Sequence, residues 1–178
     1  MNADGTTSTG VRSLSDYAWK VLAPREFLIN VAINAPLAFL VFRPAEYVPL
    51  IGWFSLYVYC GPMSVLLPFL TTFFGYMNGV LARAQGKAGK PWPAGAKWKV
   101  KALLAGVCAA VVVGVVTLAG FYLLSVAIPG LFLSRLATVT IIAVSSGVAG
   151  GVLHARAALA AETMHAKPRD NVEKQPER

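Results

Sequence analysis

Asn30 and Asn34 stand four residues apart in the apolar stretch "INVAINAPL", and Asn78 stands near the end of a second apolar stretch. An amide in hydrocarbon must find a hydrogen-bond partner, so such residues either join helices or line a polar pocket. Four residues make about one helical turn, which puts Asn30 and Asn34 on one face. With both stretches helical, Asn30 and Asn78 lie about 6 Å from the same membrane boundary and Asn34 about 12 Å from it. The matched depth predicts an Asn30–Asn78 hydrogen bond that sets the register of two helices. The functional alternative is a candidate polar site of Asn30, Asn34 and Asn78, open to the cytoplasm, with Thr71, Thr72 or His154 beside it.

Other reactive side chains are placed where they do little together. The carboxylates Asp4, Asp16, Glu26, Glu46, Glu162, Asp170, Glu173 and Glu177 all fall outside the expected spans. Proton-driven transporters place an ionisable residue within the membrane, and this pattern argues against one. Glu26, beside Arg25, is expected to form an interfacial ion pair. His154 and His165 share a helical face, but the rise separates them by about 16 Å, too far for one metal. Cys60 and Cys108 differ in depth by about 10 Å, beyond disulfide reach, and read as buried free thiols. No nucleophile elbow or phosphate-binding glycine loop occurs. The sequence thus predicts no catalytic residues, no metal, no cofactor and no enzyme activity.

The elements that position these residues follow from where charge is missing. The chain has 178 residues, 56% hydrophobic and 13% charged, about half the charge of a soluble domain. Charge is absent from Phe27 to Phe42, Tyr47 to Ala82, Ala102 to Ser134 and Leu136 to Leu153. About 20 helical residues span a hydrocarbon core, so each run holds one transmembrane helix. The expected helices are about 26–43, 53–82, 101–127 and 134–157, with "RPAEYVPLIG" as a turn. The expected fold class is all-α integral membrane: a four-transmembrane-helix bundle built from two in-out-in hairpins. Its divisions are a tail at 1–24, a membrane domain at 25–160 and a charged flexible tail at 161–178.

Net charge is +8, and its distribution sets orientation. Of the 16 basic residues only Arg43 and Arg135 fall between helices one and two or three and four. The positive-inside rule therefore puts both termini and the central loop in the cytoplasm. That loop, Arg83 to Lys101, interleaves lysines with Trp92 and Trp98, which suits anionic headgroups and interfacial anchoring, not nucleic acid. "MNADGTTSTG" is polar, so no cleavable leader is expected, and Met1 to Gly10 read as disordered. Val11, Leu14, Ala18, Val21 and Leu22 fall at helical spacing behind a Ser13–Asp16 capping signal. They predict a short amphipathic helix stopped by Pro24, either on the membrane surface or as an ordinary helical lead-in without membrane contact.

Small residues recur at four-residue spacing in the third helix (Gly106, Ala110, Gly114) and the fourth (Ala143, Gly147, Gly151). Their depths match, which predicts close antiparallel packing of these two helices. Pro36, Pro62 and Pro68 mark the first two helices as the deformable half. "GVLARA" (Gly79 to Ala84) and "GVLHARA" (Gly151 to Ala157) close the second and fourth helices alike and hint at a tandem duplication.

"REFLINVAINAPLAFLVF" followed by "VPLIGW" resembles the opening of small uncharacterised four-helix bacterial inner-membrane proteins. The resemblance implies a multi-pass inner-membrane topology and carries no functional residues. The expected function is a non-enzymatic polytopic membrane protein with a structural or accessory role, partnered by lipids, its own copies or another membrane protein. The alternative is a small homo-oligomeric transporter or channel using Asn30, Asn34 and Asn78.

Overall fold

The computed structural model describes residues 13–90 and 97–163. Met1 to Gly10, Trp92, His165 and the charged tail beyond residue 163 lie outside the described residues. Four helices are long and apolar enough to cross a membrane: α1 (Leu14–Val41), α2 (Leu56–Ala84), α3 (Trp98–Ala127) and α4 (Arg135–Ala160).

The first helix starts earlier than expected and absorbs the segment read as a separate surface helix. Ser13 Oγ caps it by accepting from Asp16 N at 3.0 Å. Pro24 does not stop it, because a π turn over Ala18–Leu22 precedes the proline, with Ala23 N–H bonding Ala18 O. The longer turn spaces the carbonyls so that a proline in the first turn of the next α segment costs no needed donor. Leu14, Ala18 and Leu22 are buried. They pack on Ala155 and Ala158 of α4 and on Ala82 and Ala88. Their apolar face is covered by protein.

The two loops at the far end join in a ribbon. β1 (Tyr47–Pro49) pairs antiparallel with β2 (Phe132–Ser134), with Tyr47 opposite Ser134 and Val48 opposite Leu133. Arg135 extends the link: its N–H donates to Glu46 O, and its Nη1 donates to Arg43 O at 2.8 Å. "RPAEYVPLIG" is thus part turn and part strand, since an extended Tyr47–Pro49 finds backbone partners only in the other loop.

The helices pack in the order α1–α4–α2–α3. α1 lies antiparallel on α4, α4 lies parallel to α2, and α3 lies antiparallel on α2. The helices joined by the short far-end loops, α1 with α2 and α3 with α4, scarcely touch. The expectation of two packed hairpins is therefore corrected: each expected hairpin is split, and its helices pack on the other pair.

Small residues explain the choice. A Cβ added at Gly75 would lie 2.5 Å from the His154 carbonyl oxygen, and one at Gly79 2.5 Å from that of Ala158. Backbone meets backbone there, so α2 and α4 approach as only glycine permits. Gly106 and Gly114 of α3 face Phe69 and Val65 of α2, not α4. Gly147 faces Phe27 and Val31 of α1, and Gly151 faces Ala23 O. Ala110 and Ala143 are buried on the same two stripes. Both stripes pack helices, but not against each other, which corrects the expected pairing. Gly106, Gly114 and Gly147 meet bulky side chains on their partners, and large-against-small contacts fill space that small-against-small would leave to backbone contact alone.

Candidate functional site

α1 presents one residue to its neighbours every fourth position, Leu14, Ala18, Leu22, Glu26, Asn30, Asn34 and Ala38, a row that Phe42 continues at its C-cap. Rows at four-residue spacing are the ridges by which helices interlock. Three successive members of this row are polar. Asn30 Nδ2 donates to Glu26 O at 2.8 Å and lies 3.3 Å from Glu26 Oε1. Asn34 Nδ2 donates to Asn30 O at 2.9 Å. Both amide nitrogens thus find acceptors on their own helix, four residues back. The Asn30 amide packs on Gly150 of α4, where any Cβ would collide with it.

The contact between helices is made by a different pair. Asn78 Nδ2 of α2 lies 2.9 Å from His154 Nε2 of α4. The other ring nitrogen, Nδ1, lies 3.4 Å from Glu26 Oε2 of α1, within ion-pair reach but outside hydrogen-bond geometry. His154 is 1% exposed. It is held by Asn78, and Glu26 supplies a weaker, electrostatic contact. Glu26, His154 and Asn78 therefore bring α1, α4 and α2 together at one point, flanked by Asn30.

Several expectations are corrected here. Asn30 and Asn78 do not bond each other, because each has a nearer partner. Glu26 is not ion-paired with Arg25: it falls inside α1, which begins at Leu14, and turns to His154. Cys60 is half-buried and Cys108 exposed, so they are free but not both buried. Arg83, expected in the headgroup-facing loop, is 4% exposed and donates to Lys90 O and Ala161 O. It ties the ends of α2 and α4 together. Among the described residues no group of acidic, histidine and cysteine side chains could hold a metal.

Asn34 also lines a cavity of about 260 Å³ on the far side of the cluster, with Tyr59, Cys60, Ser64, Ser145 and Ser146. Neither Asn30 nor Asn78 lines it, so the structure does not gather the three asparagines around one space. Sequence reasoning missed Glu26 and His154 as partners. The signal for Glu26 was available: it precedes Asn30 and Asn34 by the same four-residue step. No family model, curated protein or solved structure matches this chain.

Proposed function

We propose that this chain is a non-enzymatic, multi-pass protein of a bacterial inner membrane with a structural or accessory role. Both termini and the central loop are cytoplasmic in this reading. One observation carries it: the polar side chains at the meeting point of α1, α2 and α4 use one another, through Asn78–His154 at 2.9 Å and Glu26 at 3.4 Å. Such a cluster holds helices; it does not present donors and acceptors along an open path. The exposed Lys87, Lys90, Lys97, Lys99 and Lys101, with helices of spanning length, support the orientation and a contact with anionic headgroups.

The second reading, a small homo-oligomeric transporter or channel, is favoured by one fact: Asn34 faces a cavity. Asn34→Leu separates the two. The structural reading expects lower folded abundance by fluorescence-detected size exclusion and no cation flux from proteoliposomes with either form. Flux of protons, sodium or potassium in the wild type, abolished in the variant at unchanged abundance, overturns it.

A further inference from the structure

The small-residue stripes of α3 and α4, which turn to other helices, leave a gap between the two. A groove of about 780 Å³ runs there, walled by Val113 of α3 and by Ile141, Val144, Val148 and Val152 of α4. Four residues of its wall, Val113, Ile141, Ser145 and Ala149, also line the 260 Å³ cavity that Asn34 faces. The apolar groove thus leads to a chamber of different character.

Two residues that line that chamber, Tyr59 and Asn34, each carry a polar atom without a partner. The Tyr59 hydroxyl is buried with no hydrogen bond. Asn34 is 5% exposed and spends its Nδ2 on Asn30 O, which leaves Oδ1 without a partner. Ser64, Ser145 and Ser146 donate to carbonyls of their own helices, so their oxygens remain able to accept. Among the described residues no lysine, arginine, histidine or carboxylate lines the chamber. A buried polar atom without a partner, such as the Tyr59 hydroxyl, is costly, and a ligand that partners it and Asn34 Oδ1 gains hydrogen bonds the protein does not make by itself. A hydroxyl fits: it donates to Asn34 Oδ1 and accepts from Tyr59. A charged head does not, having no counter-ion there.

We propose that this chamber and groove form a binding site for a lipid-soluble molecule with an uncharged, hydroxylated head and one apolar tail. The head occupies the chamber, and the tail leaves through the groove between α3 and α4. The site rests on the membrane placement proposed above, since its mouth is apolar. Two sources share this chemistry, a glycerol ester and a long-chain benzoquinol.

The test is native mass spectrometry of the full chain in detergent, titrated separately with monooleoylglycerol, a decyl-tailed benzoquinol and oleate. At least one neutral probe is expected to bind ten-fold or more tighter than oleate, and the winning arm names the source. Tyr59→Phe, which adds no bulk, is expected to weaken that probe about five-fold, the worth of one hydrogen bond. Ser145→Phe, which fills the shared wall, is expected to abolish it. Neutral probes binding no tighter than oleate, or binding unchanged in both variants, overturns the site. Carbonate extraction of the same cells reads membrane placement separately. A carbonate-resistant protein that fails to discriminate among the probes overturns the lipid site alone; an extractable one overturns the membrane reading as well.

Discussion

The Asn78–His154 contact fixes where the imidazole proton resides. An amide nitrogen can only donate, so His154 Nε2 accepts, and the proton sits on Nδ1, facing Glu26 Oε2. A carboxylate opposite that N–H favours the same tautomer. Asn78 and His154 should therefore show energetic coupling that Glu26 strengthens only slightly. A double-mutant cycle of Asn78→Ala and His154→Ala, read by thermal unfolding in detergent, is expected to give about 0.6 to 1.7 kcal/mol, the range of bonds between membrane helices. Repeating the cycle in Glu26→Gln is expected to leave most of that coupling, because the 3.4 Å contact is not a hydrogen bond. A coupling that vanishes with Glu26→Gln shows the carboxylate, not the amide, to be the principal partner of His154.

At the scale of elements, glycine decides which helices approach and how closely. Gly75→Ala and Gly79→Ala each drive a methyl into backbone atoms of α4 that no rotamer change can move. Each is expected to cost about 1–3 kcal/mol, the range of overpacked cores, and to lower folded yield. Gly120→Ala meets nothing within 4 Å and is the control, with stability unchanged or slightly raised. The loop ribbon is tested by Tyr47→Cys with Ser134→Cys in a chain lacking Cys60 and Cys108. Opposed strand residues lie within disulfide reach, so an intramolecular bridge is expected on a non-reducing gel. These contacts also mark what was readable beforehand. The four helices were, because charge-free runs leave few alternatives to an apolar helix. Helix partners were not: Gly106 and Gly147 show which face packs, but a four-residue period is the same whatever lies opposite. Glu26 was hidden by reading Pro24 as a stop, since no propensity foretells the π turn that accommodates it.

For the whole molecule, the row α1–α4–α2–α3 has a consequence for folding. Cut the chain in the central loop, and the first half holds α1 and α2, the second α3 and α4. All three extensive interfaces, α1 on α4, α4 on α2 and α2 on α3, then run between the halves. The β1–β2 ribbon and the Asn78–His154 bond cross the same divide. Within either half the two helices make few backbone approaches, and the first half's own apolar cluster of Ala38, Phe42, Val48, Leu50 and Leu56 is confined to its far end and closed by Ile142 of α4. This sets the chain apart from an assembly of two stable hairpins, in which each helix pair forms first and the pairs dock later. The sequence likeness of "GVLARA" and "GVLHARA" does not mark the packing register either, because Gly75 meets His154 and Gly79 meets Ala158. Residues 1–90 and 91–178, expressed separately, are expected to be degraded. Expressed together, they are expected to accumulate and to purify as a complex through a tag on one half. Asn78→Leu with Gly79→Val, placed in the first fragment, should abolish that rescue by removing a bond and a close approach from the α2–α4 seam. Stable accumulation of either fragment alone would show that the helices of one half pack on each other, and would overturn the interlocked arrangement.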